Sequence, residues 1–257
     1  LDITKKKNLK RIIKNQDFII PLAGIVGAPL CERRKKEAVK VNVNSIKLLI
    51  RFVKNKQKII YPTTNSGYGI GQKSKYCDEN TPLRPISLYG RTKVEAETIV
   101  SKHSNYVSFR LATVFGYSYR MRTDLIVNNF VETAIKKQKL EIFEPNFRRN
   151  FIHIKDVAEA FLFAINNFNK LKNNVYNLGL STANISKLSL AKKIKKIVPN
   201  TKVIVNKRGS DPDKRDYFVS NKKIEKKGFK AKISLDDGIR ELYGLLKNCE
   251  IKFINNY

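Results

Sequence analysis

Cysteine and histidine are scarce in this chain, and their scarcity removes whole classes of chemistry. The 257 residues hold three cysteines, Cys31, Cys77 and Cys249, with no CxxC spacing, and two histidines, His103 and His153. An odd, sparse cysteine set supports neither a disulfide framework nor a structural zinc site. Two isolated histidines give no support to a Ser-His-Asp hydrolase. Acidic residues are also few: 22 Asp and Glu stand against 52 Lys and Arg, a net charge of +30. No apolar run reaches the ~18–20 residues of a membrane-spanning helix, and the first residues do not read as a basic-then-apolar leader. The expectation is a reduced, cytoplasmic protein without a membrane partner. Hydrophobic residues at 42% and aromatics at 10% supply the core of one large domain or two small ones and exclude wholesale disorder.

A charge of +30 raises the question of nucleic acid, because Lys and Arg contacts to phosphate dominate such affinity. The distribution answers it. The 38 lysines and 14 arginines are scattered along helix-like stretches such as 5–14, 187–196 and 222–230. They are not interleaved with aromatics, and no helix-turn-helix, RRM, KH or zinc-finger pattern occurs. The expected surface is solvated and cationic, without a specific nucleic-acid partner, and its field draws in anionic substrates.

The hydrophobic pattern alternates between buried-type strands and amphipathic helices. A short basic helix over 4–16 precedes an apolar run from Phe18 to Gly24 that suits a strand buried on both faces. Helix 36–55 follows, with Val41, Ile46, Leu48, Leu49 and Phe52 at helical spacing, then a strand at Lys58–Tyr61 ending in a turn-rich Pro-Thr-Thr-Asn-Ser-Gly-Tyr-Gly. A helix over 87–101 and a strand at Tyr106–Leu111 complete a strand–helix–strand–helix–strand series, the signature of a parallel sheet with helices on its faces. Beyond Gly116 the pattern predicts helices at 123–137, 156–167, 186–197 and 235–247, with short strands at 139–143, 175–178 and 202–205.

Ligands of open parallel sheets bind beyond the carboxyl ends of the strands. One loop after such an end lies Tyr89-Gly-Arg-Thr-Lys93. Tyr and Lys four apart share a helix face. An ammonium near a phenol favours the phenolate and lowers a pKa of ~10, which makes tyrosine a usable base for an alcohol proton. The spacing alone is weak: chance supplies about 1.6 Tyr-x-x-x-Lys matches in this composition, and a second one, Tyr243 to Lys247, reads as a surface pair. Only Tyr89 has a strand ending in a hydroxyl-rich turn upstream, where Thr64 can hydrogen-bond the same substrate oxygen.

These segments, with Arg-Leu-Ala-Thr-Val-Phe-Gly at 110–116, Arg149-Asn-Phe-Ile-His-Ile-Lys-Asp-Val157 and Arg208-Gly-Ser-Asp-Pro212, resemble the extended short-chain dehydrogenase/reductase family of NAD-dependent nucleotide-sugar epimerases, dehydratases and dehydrogenases. The resemblance implies an α/β, Rossmann-like, doubly wound parallel sheet over 1–116 and a smaller α+β substrate lobe over 117–257, with 151–180 returning to the sheet. It implies Tyr89 as proton-transferring base, Lys93 at the nicotinamide ribose and Thr64 at the reacting sugar hydroxyl. NAD would further meet Asp2, Ile3, Leu22, Ala23, Gly24 and Leu111. The nucleotide-diphosphate sugar would meet Asn65, Ser66, Thr113, Asn128, Arg149, Arg208 and Arg215. No metal is implied, and a homodimer is. His153 reads as a packed strand residue.

Two departures shape the expectation further. The family's first strand and its Gly-x-x-Gly-x-x-Gly loop have no counterpart, and the sequence opens at Leu1 where the third family strand ends. The resemblance thus implies an N-terminally incomplete sequence that by itself binds NAD weakly or not at all. Members that eliminate water across C5–C6 carry Asp-Glu after the threonine, whereas Thr64 is followed by Asn65 and Ser66. C4 oxidation and 4-epimerisation survive that test. The segments 64–71, 120–125 and 211–217 look most similar to bacterial GDP-manno-heptose C4 dehydrogenases.

Overall fold

A computed structural model of the chain describes residues 2–71, 75–206 and 215–248. Helix α1 (Lys6–Ile13) leads into strand β1 (Phe18–Ile19). Helices α2 (Ala28–Arg33) and α3 (Lys35–Val39) then continue through a π-turn at Lys40–Asn44 into α4 (Ser45–Phe52). Strand β2 (Lys58–Thr64) ends in a 3-10 turn at Asn65–Tyr68, followed by β3 (Tyr76–Cys77) and helix α5 (Leu88–Val100). Next come β4 (Tyr106–Leu111), β5 (Thr113–Phe115), α6 (Ile126–Lys137), β6 (Lys139–Ile142), β7 (Arg148–His153), α7 (Ile154–Asn166) and α8 (Phe168–Leu171). The remaining elements are β8 (Asn174–Leu178), β9 (Asn184–Ser186), α9 (Lys187–Ile197), β10 (Lys202–Val205), β11 (Phe218–Val219), α10 (Lys222–Lys226) and α11 (Leu235–Asn248).

The main sheet has the order β1-β2-β4-β8, and every neighbouring pair is parallel. Its two faces bury different residues of the same strands, as a doubly wound sheet requires. Ile59 and Tyr61 of β2 and Tyr106 of β4 pack with Leu9, Ile13, Ile46, Leu49, Ala96 and Val100 from α1, α4 and α5. Ile60, Val107 and Phe109 point the other way, into a cluster shared with Val127, Val157, Ala160, Leu190 and Ile239. The fold is the expected α/β class with a Rossmann-like parallel sheet. Three smaller pairings flank it: β5-β7-β9, β6 with β10, and β3 with β11.

Within 151–180, β8 joins the main sheet beside β4, whereas β7 pairs with β5 and β9. The Phe151–Ile154 segment therefore does not return to that sheet. The expected strand over Phe18–Gly24 is likewise shorter. It ends at Ile19; Leu22 donates its N–H back to the Ile20 carbonyl (2.9 Å), and Leu22 is 70% exposed. Pro21 has no N–H to extend a ladder.

The early end of β1 also explains a proline inside a central strand. The Lys58 N–H reaches the Asp17 carbonyl on the β1 side, and the Ile59 N–H reaches Asn105 on the β4 side. Alternation then turns position 62 toward β1, where pairing stops at Ile19↔Ile59. Pro62 sits where its missing N–H breaks no ladder bond.

Candidate active site

The carboxyl end of β2 meets the first turn of α5. Ser87 caps that helix by accepting the Gly90 N–H (3.1 Å), and the Thr63 hydroxyl contacts the Lys93 carbonyl (3.5 Å), tying helix to strand. This brings Tyr89, in the first turn of α5, close to Thr64 at the end of β2. The Thr64 hydroxyl donates to the Ser66 hydroxyl (2.9 Å) and accepts the Ser66 N–H (3.1 Å). Arg215 Nη1 donates to the same Ser66 oxygen. Thr64 is the register partner of Leu111 at the end of β4, so all these groups lie on one edge of the sheet.

The electrostatics differ from the expectation. Burial drives the Tyr89 pKa upward, opposed by the charges of Arg122 and Arg215 and by the nearby Thr64 hydroxyl, and the net direction is up. The guanidiniums of Arg122 and Arg215 act on the phenol in the direction of the phenolate. The Lys93 ammonium lies 4.3 Å from the centre of the Tyr61 ring, at cation–π distance. Burial lowers its pKa from 10.5 to about 7, with the Glu97 carboxylate acting in the opposite direction. Desolvation outweighs charge at both groups, so the net direction for the phenol is opposite to the lowering that an adjacent ammonium predicts.

Arg122 is a site residue that the spacing of motifs does not single out. It grips the Asp124 carboxylate through Nε (2.9 Å) and Nη2. A Cβ built on Gly27 would stand 3.4 Å from Arg122 Nη2, so the guanidinium lies over the loop that follows β1. Asn128 fixes this arrangement. Its amide accepts the Gly116 N–H (3.1 Å) and donates to the Arg122 carbonyl (3.0 Å). Asn128, expected at the substrate, is 1% exposed and committed to backbone. Asn42 is a second unforeseen contributor: from the π-turn it brackets Ile25 through both N–H and carbonyl (2.8 Å each) and reaches the Thr92 hydroxyl (3.2 Å).

The other expected residues fall into three groups. Leu22, Ala23 and Gly24 are exposed beyond β1, and Leu111 and Thr113 are half-buried at the ends of β4 and β5. Asp2 and Ile3 precede α1, and the Asp2 carboxylate accepts the Thr4 N–H (2.8 Å) and hydroxyl (2.7 Å). Arg149 is 3% exposed; it donates to the Arg148 carbonyl (2.8 Å) and lies 5.7 Å from the Tyr217 ring. Asn65, also expected at the substrate, is 1% exposed, and both its amide atoms are buried without a partner. Its amide is enclosed beneath the 3-10 turn. Arg208 lies outside the described residues. His153 is fully buried at the end of β7, where Nδ1 accepts the Lys155 N–H (3.3 Å) and Nε2 faces Glu241 (3.2 Å).

Residues 1–179 match the model of the NAD dependent epimerase/dehydratase family. The chain belongs to that family, in its extended short-chain dehydrogenase/reductase form. A putative UDP-glucose 4-epimerase of Methanocaldococcus jannaschii is 26% identical over 200 residues, covering 74% of this chain and 63% of that protein. A dTDP-D-glucose 4,6-dehydratase of Mus musculus is 25% identical over 245 residues, covering 89% of this chain and 67% of its own length. The chain thus spans about two thirds of these relatives. Among solved structures, the UDP-glucuronic acid 4-epimerase of Bacillus cereus, in complex with UDP-glucuronic acid and NAD, superposes with a TM-score of 0.84 at 24% identity, covering 96% of this chain and 80% of that one. The Thermotoga maritima UDP-glucose 4-epimerase with UDP-glucose gives 0.82 at 23%, covering 95% and 82%. No helix among the described residues is long and apolar enough to cross a membrane.

Proposed function

We propose that this chain catalyses NAD-dependent oxidation at C4 of a nucleotide-diphosphate sugar, with return of the hydride to the other face giving the 4-epimer. The observation that carries the reading is the meeting of Thr64, at the carboxyl end of β2, with the first turn of α5, which bears Tyr89 and, one helical turn on, Lys93. The residues on that edge suit the cofactor. Leu22–Gly24 form an exposed rim beside the sheet, and the Lys93 ammonium is held by a ring face and donates no hydrogen bond to any described residue. Lys93 and the Leu22–Gly24 rim would hold NAD, which supplies the hydride acceptor when bound.

The chain's own part is proton handling and orientation. Thr64 fixes the sugar hydroxyl and the phenol in one plane of approach. Tyr89, once ionised, takes the C4–OH proton as the C4–H hydride departs with its electron pair, leaving a ketone. Reversal on a rotated sugar returns hydride to C4 and the same proton to oxygen, so no net redox change occurs. Arg122 and Arg215 stabilise the phenolate and present guanidiniums to an anionic substrate. The Asn65-Ser66 pair after Thr64 provides no acid and base for water elimination, which favours epimerisation or net C4 oxidation over 4,6-dehydration. The resemblance to GDP-manno-heptose C4 dehydrogenases makes net oxidation the second reading.

Incubation of the chain with NAD and a panel of UDP- and GDP-sugars, followed by mass spectrometry and chromatography, tests both. An isobaric epimer supports the first reading, a loss of two mass units the second, and a loss of water overturns both.

A further inference from the structure

The loops at the amino end of the main sheet, opposite the site, form one surface that is almost purely cationic. Helices α1, α4, α5 and α8 run into β1, β2, β4 and β8, so four helix C-termini converge there. Hydrogen bonds stitch the connections together. Gln57 Nε2 donates to the Ile13 and Gln16 carbonyls (2.6 Å each), Asn105 Nδ2 donates to the Asn55 carbonyl (2.7 Å), and the Asn173 N–H reaches the Tyr106 carbonyl (2.6 Å). From these loops project Lys14, Lys54, Lys56, Lys102, Lys170 and Lys172, all exposed. A seventh lysine, Lys58, lies over the Phe18 and Phe168 rings (4.7 and 5.5 Å). Across 14–17, 53–58, 101–105 and 170–174 there is one carboxylate, Asp17.

A lysine-rich composition alone does not produce this. Elsewhere lysines meet carboxylates: Lys47 with Glu95 (2.9 Å), Lys155 with Glu241 (3.0 Å) and Lys193 with Asp236 (2.9 Å). Among the described residues, no carboxylate pairs with any of the six exposed lysines at the amino end. Helix ends account for part of the surplus. Each C-terminus carries about half a negative charge, so four of them and Asp17 offset about three of the seven ammoniums and leave about four facing outward. Each ammonium near an anionic membrane adds about fivefold to affinity. We propose that this face docks on an anionic phospholipid surface, leaving the site at the carboxyl edge open. The expectation of a chain without a membrane partner rests on the lack of a spanning segment, and surface attraction needs none. The geometry favours lipid over nucleic acid. Neighbouring strands stand ~4.8 Å apart, so lysines at the ends of four of them spread over a plane and not along a line. The rings beside them, Phe18 and Phe168, lie against the Lys58 ammonium and Phe168 is 3% exposed, so they offer bases no stacking platform. All seven cations are compact ammoniums, without an arginine fork for a base edge. Docking here requires nothing of the reaction at Tyr89.

Flotation of the full chain with phosphatidylcholine vesicles, with and without about 30% phosphatidylserine, tests this. The chain should float with the anionic vesicles and not with the neutral ones, and rising salt should release it. The combined variant Lys54→Gln, Lys56→Gln, Lys102→Gln, Lys170→Gln, Lys172→Gln should bind at least about a hundredfold more weakly. The same loss of charge on the lobe of α6, α9 and β10, through Lys137→Gln, Lys192→Gln, Lys195→Gln, Lys196→Gln and Lys202→Gln, all exposed, should change binding by less than about threefold. Should the first variant melt early, Lys56→Gln with Lys102→Gln alone should still cost about tenfold. Equal losses from the two faces would mean attraction by net charge alone and overturn the proposal. Binding that survives high salt, or a parent that floats with neither vesicle, overturns it too. Competition with poly(U) RNA at equal phosphate decides the partner: displacement by RNA that depends on the same five lysines would assign the face to nucleic acid and sink the lipid reading.

Discussion

Replacing Lys93 by methionine should make the chain more stable while removing its activity. Burial lowers the Lys93 pKa from 10.5 to about 7, and a tenfold change in proton affinity is about 1.4 kcal/mol. Carrying this lysine into the folded chain at pH 7 therefore costs ~4 kcal/mol relative to a lysine left in water. Methionine has a similar unbranched stem and no charge to desolvate, but it forfeits the ammonium–ring contact with Tyr61, worth ~1–2 kcal/mol. The net expectation is ~2–3 kcal/mol of stabilisation, or ~5–10 °C in Tm for a chain of this size. The pH dependence carries the sharper test. Between about pH 7 and 10.5 the unfolded state binds more protons at this position than the folded state. Wild-type stability therefore rises with pH through that window relative to the variant, and the gap is widest at and below pH 7. Differential scanning calorimetry of both proteins at pH 6.5, 8 and 9.5 measures it. A variant less stable than the parent at neutral pH, or a gap that does not narrow as pH rises, would refute the reasoning.

Other outcomes follow from single contacts. Tyr89→Phe should reduce C4 oxidation by ~10²–10⁴-fold, and Thr64→Val by ~10²-fold, with melting temperatures close to the parent's. The raised Tyr89 pKa means that kcat/KM should climb with pH from neutrality, about tenfold per unit until the phenol ionises; a flat profile in stopped-flow assays would count against Tyr89 as the base. Arg122→Met removes a cation that favours the phenolate, so fluorine NMR of fluorotyrosine-labelled protein should place Tyr89 ionisation at higher pH; a downward move would contradict the assignment. Asn128→Ala leaves the Gly116 N–H and the Arg122 carbonyl without their buried partner, a loss of ~1–3 kcal/mol readable by urea denaturation. Gly69→Ala should cost about as much or more, since its φ is +65° and a Cβ would sit 2.1 Å from the Arg84 carbonyl.

Much of the sheet could be read from sequence because parallel strands buried on both faces leave unbroken apolar runs. Ile59 and Ile60 serve opposite faces, as do Tyr106 and Val107. The misreadings have local causes. Phe18–Gly24 is as apolar as a strand, but periodicity does not register that Pro21 ends the ladder. The helix expected over 36–55 is interrupted because the π-turn at Lys40–Asn44 turns Asn42 inward to bracket Ile25. Two-residue strands such as β3 and β11 leave no pattern at all, since their pairing joins positions far apart in the chain.

The site was legible in its residue types and much less so in its electrostatics. Tyr89, Lys93 and Thr64 stand out through spacing, because helix geometry and strand ends are local. The charge on each is decided by what lies across the fold. Asn128, six residues on, holds the Arg122 carbonyl, and Arg215 arrives from the far end of the chain through Ser66. Glu97 is visible in the helix, yet the cation it pairs with, Arg110, lies in a strand that pairs with β2. A Tyr-x-x-x-Lys pair is thus a statement about distance alone. Whether its phenol and amine are ionised at neutral pH is set by burial and by cations and carboxylates from elsewhere in the fold.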